Sequence, residues 1–309
     1  MFNALTIDVE DYYMVSAFAN MIKFDDWHRY ESRVEKNTYR ILDLLQEYGV
    51  KATFFVLGWV AEHYPQLVKN IYAAGHEVAC HGYNHRLIYH LTPPEFREDC
   101  RRAKSVLEEI TGKPVIGYRA ASYSIVNKTL WALDVLIEEG FTYDSSIFPI
   151  RHDIYGIPGA ERFPYQIKRP SGKIHEFPLS TVNVHIANRE VRVPVAGGGY
   201  LRLFPVWFLR KALSRINEVE GRPTIVYFHP WEIDPDQPRI KAGLKSRFRH
   251  YVNLDKTVSK IQYLLTHLQF GPVSSVLGRE TVSAQYDNQV SAFIQPEVAG
   301  QDHVHTRIS

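Results

Sequence analysis

Ala4-Leu5-Thr6-Ile7-Asp8-Val9-Glu10-Asp11 is the stretch that decides the fold. Ala4 to Val9 lacks the three-and-four spacing of an amphipathic helix and reads as a buried strand that opens almost at the first residue. Three acids gather where it ends. Alternate side chains of a strand share a face, so Asp8 and Glu10 point the same way. Acids at such a place solvate a loop or cap a helix. They can equally set a metal ligand beside a general base, the pair that a water-splitting site needs.

Working outward, the pattern alternates. Val34, Thr38, Ile41, Leu45 and Tyr48 repeat at spacings of four and three, predicting a helix over about 33–48 that stops at Gly49. Ala52 to Leu57 is a second strand, followed by a helix over 60–74 ending at Gly75, and Glu77 to Cys80 is a third strand. Thr92, Pro93 and Glu95 form a helix start with a capping box, for a helix running to about Ile110. Gly117 to Ala120, a helix over 127–139, and Phe141 to Asp144 complete the series. Repeated strand–helix alternation implies parallel strands covered by helices. Without a Rossmann glycine fingerprint it favours a barrel, whose functional residues gather at the C-terminal strand ends.

Residues 150–200 are rich in Pro and Gly and read as irregular loops with short strands. Helices are expected over 205–219 and 255–268, with a strand from Thr224 to Phe228 between them. From about 279 a polar, patternless stretch reads as a flexible tail.

The 309 residues carry 36 Lys and Arg against 34 Asp and Glu, a balance that marks neither a nucleic-acid nor a membrane-surface binder. No stretch approaches the roughly 20 apolar residues of a membrane span. The N-terminus lacks a basic, apolar and small-residue leader pattern, which predicts a cytoplasmic protein. Cys80 and Cys100 read as two reduced, packed thiols, with a single bridge as the alternative.

Further constellations follow strands. His81-Gly82-Tyr83-Asn84-His85 places two imidazoles four residues apart, close enough to reach one ion. Gly117-Tyr118-Arg119-Ala120-Ala121-Ser122-Tyr123 offers an arginine that could orient a buried carboxylate. Tyr227-Phe228-His229-Pro230-Trp231-Glu232 ends an apolar strand on a histidine suited to act as a general acid. Gly197-Gly198-Gly199 lacks the Lys-Ser/Thr of a phosphate loop and reads as a turn or a place where substrate approaches backbone. Arg239, Lys241, Lys245, Arg247 and Arg249 read as a solvated face, with anionic-glycan binding as the lesser reading.

Taken in order, these motifs resemble the polysaccharide deacetylases of carbohydrate esterase family 4. A nearer resemblance, over about residues 1–278, is to the deacetylases associated with exosortase/PEP-CTERM exopolysaccharide systems. It rests on Thr6 to Tyr13, Tyr143 to Asp153 and Tyr227 to Asp234. The resemblance implies a distorted (β/α) barrel with a loop-rich C-terminal region, its core at about 1–150 plus 222–235. It implies a metal-dependent hydrolase that removes acetyl groups, chiefly N-acetyl of hexosamines, from a polysaccharide or oligosaccharide. The implied roles are Asp8 as base, Arg119 orienting it, His229 as acid, and His81, His85 and Glu10 or Asp11 as ligands of a divalent ion, with Zn²⁺ expected. A backbone N–H near Tyr123 would hold the oxyanion, and Tyr12, Tyr83, Tyr200 and Trp231 would stack on sugar rings. Three departures stand out: Asp8 to Asp11 read Asp-Val-Glu-Asp where the family has adjacent aspartates, Arg-Ala-Ala replaces Arg-x-Pro, and the Asp-Trp that tunes the acid histidine is missing, leaving Asp144 as the substitute. The competing readings are an allantoinase-like amidohydrolase of a small cyclic amide and an inactive glycan-binding module.

Overall fold

The structure is a computed structural model that describes residues 1–186 and 189–279; beyond 279, the expected tail lies outside the described residues. Residues Met1–Val276 form one compact unit. Strand β1 (Phe2–Val9) is buried along nearly its whole length. It is flanked by parallel partners and covered on both faces, which is why its sequence runs apolar without alternation. Beside it lie β2 (Thr53–Val56), then β3 (Glu77–Cys80), β4 (Gly117–Tyr118) and β5 (Tyr143–Asp144).

The Pro/Gly-rich middle supplies more sheet than its composition suggests. The hairpin β6 (Tyr165–Arg169) and β7 (Gly172–Glu176) docks with β7 parallel to β5, pairing Asp144 with Glu176. A separate antiparallel ribbon joins β8 (Thr181–Ile186) to β9 (Arg189–Pro194). Strand β10 (Ile225–Phe228) returns to pair with β1, and β11 (Gln269–Gly271) pairs with the start of β1. The fold is therefore a mostly parallel α/β sheet in the order β10-β1-β2-β3-β4-β5-β7-β6. Its pairing does not close from β6 back to β10 among the described residues.

The covering helices are α1 (Val34–Glu47), α2 (Gly58–His63), α3 (Pro65–Ala73), α4 (Pro93–Thr111) and α5 (Trp131–Glu138). Later come α6 (Gly199–Leu203), α7 (Val206–Glu218), α8 (Leu244–Tyr251) and α9 (Thr257–His267). The single helix expected over 60–74 is two, because Pro65 cannot continue α2 and instead starts α3. The Thr92 capping box of α4 is present, and Gly112 closes that helix in the left-handed region. Ile41, Leu45, Phe54 and Ile71 are fully buried between helices and sheet. Each such side chain contributes about 1.5–3 kcal/mol of burial. Cys80 and Cys100 are free and buried. Gly197 and Gly198 of the three-glycine run pack against Tyr227. Gly197 bridges to Tyr227 in β10, and a Cβ there would stand 1.9 Å from the Tyr227 carbonyl oxygen.

Candidate active site

Strand ends bring the acids and histidines together. Glu10 follows β1 and His81 follows β3, on either side of β2. His85 closes the loop after His81 with a left-handed backbone, φ 56°. That loop is shaped by Asp99 of α4, whose Oδ2 accepts from the Tyr83 N–H at 2.9 Å and leaves no room for a Cβ at Gly82. One ligand atom each from Glu10, His81 and His85 lies within 4.8 Å of the others.

This set fits a divalent cation. The carboxylate and both rings are close to fully buried, and His85 Nε2 stands 3.0 Å from Glu10 Oε2. His81 places Nδ1 2.8 Å from the Arg119 carbonyl oxygen, an arrangement that makes Nδ1 the donor and frees Nε2 as a ligand. Burial holds the His81 imidazole down to about 4, so it is neutral and able to ligate. Burial alone would raise the Glu10 carboxyl, but His85, His229 and His81 outweigh it and hold it at about 2.

Asp8 sits beside this cluster with a fixed orientation. Arg119, fully buried, donates Nη1–H bonds to Asp8 Oδ1 at 2.7 Å and to Thr6 Oγ1 at 2.8 Å. Its other nitrogens reach the carbonyl and hydroxyl of Ser145 at 3.0 and 2.9 Å. The arginine thus fills a socket between β1 and β5, held without a proline two residues on.

On the opposite side, His229 Nε2 faces Glu10 Oε1 at 3.5 Å and Asp8 Oδ2 at 3.8 Å. Its Nδ1 lies 2.6 Å from Glu232 Oε1, and Glu232 Oε2 accepts from Arg202 Nε at 2.5 Å. Burial would lower the His229 imidazole, but Glu232, Glu10 and Asp8 raise it to about 9. Burial would raise the Glu232 carboxyl, and Arg202 and His229 bring it below the usual range. Trp231 stacks on His229 and His250 and donates Nε1–H to Glu10 Oε1 at 3.3 Å.

Asp8, Glu10, His81, His85, His229 and Trp231 line one cavity of about 430 Å³, together with Tyr123, Tyr155 and Tyr227. Ser122 and Tyr123, at its wall, both have positive φ, 48° and 54°. Strained non-glycine backbone of this kind collects at functional sites.

Several expected residues fall elsewhere. Asp11 is not in the ligand cluster. Its Oδ2 accepts from the Arg33 and Val34 N–H groups at 2.7 and 3.0 Å and from Ser32 Oγ, which caps α1. The strand's alternation turns it away from Glu10. Asp144 does not touch His229. It is buried against Glu176 and accepts from Ser146 Oγ at 2.6 Å, and burial raises its carboxyl to about 6. Glu232 takes the histidine instead; its signal was the His-x-x-Glu spacing at a tight turn. The Tyr123 N–H is bonded to the Ala120 carbonyl oxygen at 3.0 Å, so that group is no free oxyanion donor, although the ring lines the cavity. Tyr12 is fully buried against Tyr13, Tyr83 lies between Glu62 and Arg102, and Tyr200 packs on Phe148 and Phe204; none of the three lines the cavity.

Comparison with known proteins agrees with this architecture. Residues 16–142 match the family model described as polysaccharide deacetylase, and residues 145–278 match a domain of unknown function, DUF3473. A peptidoglycan deacetylase of Helicobacter pylori is 32% identical over 108 residues, 35% of this chain and 36% of that protein. A peptidoglycan-N-acetylglucosamine deacetylase of Bacillus cereus is 37% identical over 75 residues, 24% of this chain and 27% of that protein. The chain spans about a third of the length of the curated relatives it matches. A crystal structure from Mycobacterium smegmatis, provisionally named a polysaccharide deacetylase, superposes with a TM-score of 0.59 at 21% identity. It covers 97% of this chain and 94% of that one, which establishes the fold. Residues 16–142 are thus similar to polysaccharide deacetylases. No described helix is long and apolar enough to cross a membrane.

Proposed function

We propose that this protein is a divalent-metal hydrolase that removes N-acetyl groups from hexosamine residues of a polysaccharide or oligosaccharide, in exopolysaccharide production of the exosortase-associated type. One observation carries the reading. Glu10, His81 and His85 stand in a single cavity between a carboxylate locked by Arg119 and a histidine locked by Glu232. We further propose that the deacetylase unit runs through both matched stretches, residues 1–278, since the cavity draws on both.

Glu10, His81 and His85 would hold the ion, and one carboxylate with two imidazoles suits Zn²⁺. When bound, the ion acidifies water and polarises the acetyl carbonyl. Asp8, aimed by its hydrogen bond from Arg119, accepts the proton of the attacking water. His229 gives its proton to the sugar nitrogen as the C–N bond breaks, and Glu232 stabilises its charged form until then. Acetate and a free amine leave. Trp231 and Tyr123 at the wall offer apolar faces to the acetyl methyl and the sugar ring.

Acetate release from N-acetylglucosamine oligomers tests this. It should vanish on chelation, return with Zn²⁺, and leave amines on the sugar. Background acetate from every acetylated glycan tried with zinc-loaded protein would refute it.

A further inference from the structure

We infer that the glycan taken by this cavity carries an acidic group, read at the outer rim by Arg249 with Lys245 beside it on α8. The inference rests on the deacetylase reading and names its substrate class. Lys245, Ser246, Arg249 and His250 line the same cavity as Glu10, His81 and His85.

The charges are unequal at the two ends. Inside, Asp8 is paired with Arg119, and Glu10 faces His85 and His229. At the rim, Asp153 is the lining carboxylate. It is 2.9 Å from His152 Nδ1, and its Oδ2 is 3.5 Å from Lys245 Nζ. Burial lowers the His152 imidazole, so it is neutral near pH 7. Among the described residues, no carboxylate lies within 4.0 Å of the Arg249 guanidinium. Two cations thus meet one anion there, and the same segment adds Arg247, Lys241 and Arg239, the last lying over the Tyr251 ring. A neutral sugar gives an unpaired guanidinium little; a carboxylate or phosphate gives it a charged, two-point partner.

The backbone that carries Arg249 is not loose. Buried Arg202 donates to the carbonyl oxygens of Arg249, His250 and Val252 at 2.9, 2.7 and 3.2 Å, while its Nε holds Glu232. The end of α8 is thereby tied to the turn that holds His229, at a set place relative to the reacting amide. Ser16, Asn20 and Ser246 add hydroxyl and amide groups to the same wall.

The test uses the full, metal-loaded chain and three N-acetylglucosamine oligomers of one length: unmodified, oxidised at C6 to the carboxylate, and phosphorylated at O6. Acetate release from the better acidic oligomer should exceed that from the neutral one by about threefold to tenfold in kcat/KM, mostly through KM. The preference should shrink at high salt and be lost in Arg249→Gln. Comparing the carboxylate and phosphate arms shows which anion is read. Equal or better use of the neutral oligomer, or a preference that survives Arg249→Gln, overturns the inference while leaving a deacetylase. If neither these oligomers nor any other acetylated glycan yields acetate, the deacetylase reading falls and calorimetric binding of the same three decides the inference. Charge-selective binding lost in Arg249→Gln upholds it; equal binding, or none, overturns it.

Discussion

One wall of the cavity hangs Glu10, His81 and His85 from the ends of two strands that flank β2, so the backbone register of a parallel sheet sets their spacing. The other wall presents His229 from β10, and what orients it is a line of buried charge running through Glu232 and Arg202 to the backbone of α8. The first wall is positioned by hydrogen bonds that every parallel strand makes. The second depends on side chains whose partners lie 3, 30 and 48 residues apart. Damage should therefore be local and chemical on the first wall, and should spread to geometry and titration on the second.

The sharpest break is His81→Ala. It removes one of the three proposed ligands and should cost about 10³-fold or more in turnover, since the chemistry a metal would supply at that place is worth several kcal/mol. Metal content by mass spectrometry should fall in parallel, with the melting curve nearly unchanged; retained metal with full turnover would erase the distinction between the walls.

Arg119→Met tests the join between them. It strands the buried Asp8 carboxylate and should lower unfolding free energy by about 3–5 kcal/mol in denaturant titrations, besides abolishing activity. A loss below about 1 kcal/mol would mean that the socket around Arg119 relaxes freely.

Glu232→Gln probes the charge line alone. The His229 imidazole is raised to about 9 beside Glu232, so its acid form persists at pH 8 and the proposed activity should fall as pH climbs through 9. Because the folded value lies above the ordinary 6.5, the pair stabilises the fold fully below about pH 6.5 and is lost as pH rises through about 9. The variant should lose roughly 10- to 100-fold at pH 8 and move the alkaline limb of its pH–rate profile down by about one unit or more. An unmoved limb would assign the tuning to another group.

The smallest effect is expected from Asp11→Ala, next to a ligand in sequence and apart from it in space. It should cost about 1–2 kcal/mol by removing the α1 cap and leave metal content unchanged. Loss of metal in that variant would return Asp11 to the ligand set.

Much of this was legible in the sequence because it is local. Helix and strand periods and the Thr92 capping box each depend on residues within a few positions of one another. The motifs at Asp8, His81, Arg119 and His229 were legible as well, since a strand end is recognisable and sets a side chain's direction. Three features escaped. Short strands were expected in the Pro- and Gly-rich middle, but nothing local to it places β7 beside β5. The choice of Glu232 over Asp144 turns on which carboxylate reaches His229, and Asp144 is committed instead to Glu176 across a strand pair. The basic segment of α8 read as a solvated face, because nothing local to it shows that the helix borders the cavity.

The sequence by itself determined the alternating elements, the strand-end placement of acids and histidines, and the types of chemistry such groups are suited to, because each follows from backbone geometry and side-chain type over short range. Tertiary structure alone decided the partners. It sent Asp11 to a helix cap and Glu10 to the histidines, joined His229 to Glu232 and Arg202, and brought α8 to the rim. The physical reason is that desolvated charges must find counter-charges in space, and which ones meet is settled by packing between segments that can lie 221 residues apart, as Trp231 and Glu10 do.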